Sequence, residues 1–227
     1  MLDAALALFS ERGIAATSLR AIATAAHVTP ALLHYYFKSK KSLVETLLAE
    51  RIAPFVAVSV APLLEPLPSP RATLRRFLET HMRNIAANPW MPRLMVREVL
   101  SEGGALRERM QAQFAAIVSP KTLFLIISAQ RSGEIRPDLN PVLVGVSLIS
   151  LAVFPFAAAP MWRAAAQAGL RTLLDGLDAE KRAALKLTAK AIAGRKGFDE
   201  PDSEALITHT LTVFDSMLEV PSAKTKR

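Results

Sequence analysis

The sequence predicts an all-α protein with a small three-helix domain at the N-terminus and a larger helical domain after it. Three observations lead there. Apolar residues recur at three- and four-residue spacing along most of the 227 residues, as helices buried on one face require. Prolines and glycines punctuate those stretches, with Thr29–Pro30 and Ser69–Pro70 supplying the cap and first position of a helix. No alternating apolar and polar run, tandem repeat or low-complexity tract suggests a β-sheet.

The elements follow in order. Residues 2–13, LDAALALFSERG, make an amphipathic first helix. Ser18 caps a short second one, with Leu19, Ile22, Ala23 and Ala26 at helical spacing. HVTP (27–30) interrupts it, and His27 takes the bend, where glycine would accept a positive φ most easily. Thr29 then caps a third helix that begins at Pro30. Its Leu33 and Phe37 face inward, leaving Thr29, Ala31, His34 and Tyr35 for an outside partner. Two short helices meeting this way form a helix-turn-helix, whose second member suits a DNA major groove roughly 12 Å wide. In the run Lys38, Ser39, Lys40, Lys41, Ser39 caps the next helix, so that amide groups and ammonium groups together attract a phosphate.

Beyond it, a long helix runs from Ser39 towards Pro62, with Pro54 bending it or ending it early. PLPSP (66–70) breaks the chain, and Ser69–Pro70 starts a helix reaching about Ala87. NPWMP (88–92) begins another, with Leu94, Met95, Val99 and Leu100 on its apolar side and Arg93, Arg97 and Glu98 adding charge; Gly103 and Gly104 stop it. One helix covers about 105–132, kinked at Pro120, before a turn at 132–141. Residues 142–160 carry no charge and approach the roughly 20 apolar residues of a membrane span. Ser147, Ser150 and Pro155 make a buried or dimer-forming helix the better reading. Residues 178–197 read as a basic amphipathic helix docked with its charged face in water, and 203–218 as a last helix with Leu206, Ile207, Leu211, Phe214 and Leu218 in one stripe. Residues 221–227 read as a disordered tail.

Composition narrows the function classes. A net charge of +8 favours a polyanionic partner, DNA or an anionic membrane. With no cysteine, disulfides and thiolate metal sites are excluded. The opening segment carries Asp3, Glu11 and Arg12, unlike a secretory signal, and a cytoplasmic location is expected. The four histidines, 27, 34, 81 and 209, form no paired metal site, and no phosphate-cradling glycine loop is present. Glu98 and Glu102 share a helix face, which reads as surface charge rather than an acid and base. No catalytic residue, metal or cofactor is expected.

Residues 2–48 resemble the N-terminal domain of TetR-family transcriptional regulators, through LDAALALFSERG (2–13), TSLRAIATAA (17–26) and VTPALLHYYFKSKKSL (28–43) in that family's order and spacing. The departures are His27 and Ala31 at frequent glycines and His34 at a frequent tyrosine. Met1 falls where the family's first helix is already under way, so either translation starts upstream or the basic arm common in relatives is lacking. The resemblance implies that Thr29, Pro30, Ala31, His34, Tyr35 and Tyr36 face DNA, that Lys40 meets a phosphate, and that Ser18 and Arg20 approach from the preceding helix. Arg20 suits a guanine, because its planar fork matches the O6 and N7 acceptors.

The resemblance divides the chain into a DNA-binding domain at 1–48 and an effector-binding and dimerisation domain at 49–220. It implies a homodimer joined by a four-helix interface, here from 142–154 and the 206–218 stripe. It also implies a cavity for a small, largely apolar effector, for which the candidates are Trp90, Met91, Met95, Phe114, Phe154, Phe156, Met161 and Trp162, with Arg97 and Glu98 as orienting polar groups. The reading is a ligand-released repressor on a palindromic operator. Two alternatives stay open: a basic helical protein of membrane surfaces or an adaptor, and an enzyme in the C-terminal half.

Overall fold

The computed structural model describes residues 1–110, 119–176, 178, 180–181 and 203–220, and every regular element among them is helical. Phe114, the tail 221–227 and nearly all of the expected helix at 178–197 lie outside the described residues.

Helices α1 (Leu2–Arg12), α2 (Leu19–Ala25) and α3 (Pro30–Phe37) close over a small core of Ala5, Phe9, Ile22, Ala23 and Leu33, completed by Leu43 and Leu47 from the next helix. That helix, α4, runs unbroken from Lys40 to Leu64 and crosses the expected domain boundary at 48/49. Pro54 does not end it. The turn just before the proline widens to π-helical geometry over Leu48–Ile52, and the Ala53 N–H reaches back five residues to Leu48. A wider turn accommodates a ring that would otherwise press on the carbonyl four residues back.

α5 (Pro70–Ala87) begins as expected, with Ser69 Oγ accepting the Ala72 N–H at 3.1 Å. It is the central helix, burying Leu74, Phe77, Leu78, His81, Met82 and Ile85 and packing against α4 and three later helices. α6 starts as Trp90–Leu94, continues as a π-helical stretch Met95–Leu100, and lies against α1. The single helix expected over 105–132 is instead interrupted: Ser119 caps a new helix, α7 (Pro120–Arg131), by accepting the Thr122 N–H. A proline after a capping serine starts a helix more readily than it kinks one.

α8 (Pro141–Ala157) is capped by Asn140, and a bend of 67° separates it from α9 (Ala159–Asp175). One face of α8 is buried through Val144, Gly145, Leu148 and Ala152, while Val142, Leu143, Val146 and Phe154 are exposed. α10 (Ser203–Leu218) spans the expected residues, but Ile207, Leu211, Phe214 and Leu218 are buried within the protomer, where α10 packs on α5. That stripe is therefore core, which corrects its assignment to a subunit interface.

Candidate nucleic-acid interface and the cavity behind it

The turn between α2 and α3 is built from its own backbone. His27 sits at φ 54°, its N–H donates to Thr24 O at 3.1 Å, and the Val28 N–H donates to Ala23 O at 3.0 Å. These two bonds satisfy the last carbonyls of α2 in the manner of a glycine-type helix stop, with histidine in glycine's place. Ser18, Thr29 and Ser39 accept the N–H groups of Ala21, Leu32 and Ser42 at 3.1, 3.2 and 3.1 Å. Hydroxyls committed as caps hold the helix ends in place.

With Leu33 and Phe37 buried, α3 leaves Thr29, Pro30, Ala31, His34, Tyr35 and Tyr36 exposed, and Ser18 and Arg20 lie exposed on α2. Tyr35, 78% exposed, meets Tyr36 edge to face at 5.5 Å. Both hydroxyls reach solvent from rings that hold each other in place.

Lys40 differs from expectation. Its ammonium donates to Ile14 O at 2.8 Å, Ala15 O at 3.1 Å and Thr17 O at 3.0 Å. An ammonium has three N–H groups, and all three are engaged on the α1–α2 loop. Lys40 clamps the head together instead of reaching for a phosphate. The adjacent Lys38 and Lys41 are exposed, and Lys38 ends α3 at φ 56°.

The other side of the same loop is held from the larger domain. The Ile14 N–H donates to Glu98 Oε1 at 2.8 Å, and Glu98 Oε2 accepts the Ala105 N–H at 3.1 Å. Glu98 is only 5% exposed, so it is neither the surface charge nor the pocket group expected. Two glycines make room for it. A Cβ on Gly13 would stand 3.0 Å from Glu98 Oε1, and one on Gly104 would stand 2.4 Å from the Glu98 carbonyl oxygen. One residue, Ile14, is thus gripped through its N–H by α6 and through its carbonyl by α4. Arg51 on α4 bonds Asp3 on α1 at 2.9 Å, and Arg109 pairs with Glu45, adding two exposed ties.

Behind this junction lies a cavity of about 30 Å³ walled by α4, α5, α6 and α8. Of the expected lining residues, Met91 and Met95 wall it, joined by Phe55, Ser59, His81, Met110 and Val153. Trp90 packs on Phe55 at 5.8 Å, one layer back. Phe154 and Met161 are 61% and 65% exposed and lie outside. Phe156 lines a separate hollow between α6 and α9, and Trp162 donates to Pro155 O at 2.9 Å. Phe154 and Phe156 lie on α8 before the bend and point away from the cavity that Ile149 and Val153 of the same helix line, and Met161 and Trp162 follow the bend on α9. Met95 and Glu98 share the π-helical stretch, so the cavity wall and the grip on Ile14 belong to one segment.

Two family models match this chain: bacterial regulatory proteins of the tetR family over residues 1–47, and a tetracyclin repressor-like C-terminal domain over residues 70–179. The chain belongs to the TetR family. The HTH-type transcriptional regulator UidR of Escherichia coli K12 is 26% identical over 191 residues, covering 78% of this chain and 90% of that protein. Among solved structures, a TetR-like regulator from Rhodococcus sp. RHA1 is 25% identical with a TM-score of 0.57, covering 69% of this chain and 80% of its own. The ketosteroid regulator KstR2 of Mycobacterium tuberculosis shares the fold at 16% identity and a TM-score of 0.65, over 97% of this chain and 93% of its own. This TetR-family protein is a helix-turn-helix, DNA-binding transcriptional regulator, and no enzyme family is indicated by these matches.

Proposed function

We propose that this TetR-family regulator is a cytoplasmic homodimeric repressor that holds a palindromic operator and is released from it by a small effector. The observation that carries the reading is the exposed face of α2 and α3, on which Arg20, Thr29, His34, Tyr35 and Tyr36 are exposed while Ile22, Leu33 and Phe37 are buried. Arg20 takes a guanine through its paired N–H groups, and Pro30 and Ala31 give apolar contact. Ser18, capping α2, lies at the edge of that surface. Phosphate contact passes to Lys38 and Lys41, whose ammonium groups are exposed.

The dimer forms through the exposed face of α8, where Val142, Leu143 and Val146 are exposed and Leu143 borders a groove of about 330 Å³ that also includes Ser147, Leu151 and Met217. An effector entering the cavity displaces Met95, moves the π-helical stretch that carries Glu98, and so shifts the loop that Lys40 clamps. Full release needs about 5.5 kcal/mol of preference for the displaced state.

Selection of bound fragments from random DNA tests the reading. The expected product is a palindrome with half-sites about 34–36 Å apart or a multiple of that spacing. Enrichment of no sequence, with binding that follows only salt and charge, would count against it. For the dimer, Val146→Glu should give a folded monomer by ultracentrifugation. Leu211→Asp should instead unfold the protomer, because it buries an unpaired charge in its core.

A further inference from the structure

The bend between α8 and α9 borders a hollow of about 270 Å³, closed on its other sides by the end of α5, the start of α6 and the start of α10. Ile85, Phe156 and Leu206 give it an apolar side. Four more of its lining residues, Pro89, Pro92, Pro155 and Pro160, are prolines, which have no backbone N–H to donate. The lining side chains that can donate are Arg93, Arg163 and Ser203.

Arg163 carries the decisive feature. Its Nε is buried and has no hydrogen-bond partner among the described residues. The guanidinium is nevertheless held in place, because its carbon stands 5.4 Å from the centre of the Trp162 ring, and Trp162 is fixed across the bend by its bond to Pro155 O at 2.9 Å. A guanidinium keeps its charge, so a buried N–H without an acceptor weighs against the fold. Buried donors are nearly always satisfied, and one beside a hollow can be satisfied by what enters it. Arg93 on α6 is exposed and likewise has no hydrogen bond or ion pair among the described residues. No carboxylate lines the hollow. Glu204, next to Ser203 on α10, is turned to Arg83, and Glu11, which borders an adjoining groove with Arg93 and Arg97, is paired with neither. Two unneutralised cations thus share one concave site, where like charges reinforce their attraction for an anion.

We infer that this hollow binds a small carboxylate with an apolar body, whose oxygens accept N–H groups from Arg163 and Arg93 while the body covers Phe156, Ile85 and Leu206. The planar fork of a guanidinium matches the two oxygens of a carboxylate. An amine would add a third positive charge. A neutral molecule could accept the Nε–H and would leave both charges uncompensated. Inorganic phosphate could meet the arginines and would leave the apolar side uncovered. The site is separate from the cavity walled by α4, α5, α6 and α8, and it stands with or without ligand release.

Calorimetry on the full-length protein with benzoate, benzamide, benzylamine and inorganic phosphate tests this. Benzoate should bind at least about tenfold tighter than each of the other three. Arg163→Met and Arg93→Met should each weaken benzoate about tenfold, whereas Arg131→Met, an exposed arginine outside the hollow, should leave it unchanged. The melting temperature of unliganded Arg163→Met should hold or rise, since the variant removes a buried N–H that has no acceptor. Nitrogen NMR of the wild type, which needs no variant, should show the Arg163 Nε–H signal move as benzoate is added. Equal binding of benzamide, phosphate at least as tight as benzoate, equal losses in all three arginine variants, or an Arg163 signal that stays in place overturns the inference. So does a wild type that takes up no benzoate, as when the chain's own Asp199, Glu200 or Asp202, just ahead of Ser203 in sequence, occupies the arginines.

Discussion

The reading head and the cavity half are held in opposite ways. In the head, Lys40 has an acceptor for each of its three N–H groups, and three successive helices have hydroxyl caps. Around the cavity, three methionines share an apolar wall, and helices on two sides widen into π turns. Over-determined groups keep a geometry, and under-determined ones leave room for change. A DNA-reading surface needs the first property, and a responsive site needs the second. Glu98 stands where they meet, with one oxygen on the head and the other on the loop that follows its own helix.

The contrast is broken most directly at Glu98. Glu98→Ala should orphan the Ile14 and Ala105 amides and lower stability by about 1–3 kcal/mol for each, read by chemical denaturation. Glu98→Gln keeps one acceptor and should lose about half as much. A change under about 0.5 kcal/mol, the range of featureless surface sites, would show that the two regions are not joined there.

His81 sharpens the other side through pH. Its folded value near 4 lies below the ordinary 6.5, so the unfolded chain takes up a proton that the folded ring refuses. The stability contributed by the neutral ring is complete above pH 6.5 and is lost as pH falls towards 4, by about 3 kcal/mol at most. His81→Phe should remove this part of the pH dependence in denaturation measured at pH 7 and 4.5. An unaltered slope would contradict it.

Lys40→Met should loosen the α1–α2 loop, lowering stability by about 1–2 kcal/mol and weakening all operators alike without altering the salt slope. Lys41→Ala should do the reverse, leaving stability intact and reducing the slope by about 0.9. A slope change of that size in Lys40→Met would return that side chain to the phosphate. The smallest effect belongs to His27→Gly, which relieves a positive φ and should stabilise the head by up to about 1 kcal/mol, visible in the thermal midpoint.

What was legible in the sequence was local. Ser18, Thr29 and Ser39 announce their caps within three residues, Ser69–Pro70 fixes a helix start the same way, and the apolar stripe of 203–218 marks a helix by its spacing. The helix-turn-helix is a run of such signals and could be placed residue by residue. Lys40 was misread because its acceptors lie 23 to 26 residues earlier, in a loop with no pattern of its own. Glu98 was missed for the same reason, and an i,i+4 pair with Glu102 resembles ordinary surface charge. The cavity was half legible. Met91 and Met95 follow helical spacing, but which face of the largely apolar α8 turns inward decides the place of Phe154 and Phe156, Met161 follows the bend after α8, and His81 has no sequence signature that distinguishes it from a core residue.

The bond between Ile14 and Glu98 spans 84 residues, which gives the chain an order of assembly. A nascent chain emerges N-terminus first, and the head has its helix signals within the first 48 residues. Its α1–α2 loop nevertheless lacks the Glu98 acceptor until α6 has been synthesised and has folded against α1. Head and cavity half therefore mature together, and a fragment ending before residue 98 lacks the acceptor that holds the Ile14 N–H of its own α1–α2 loop.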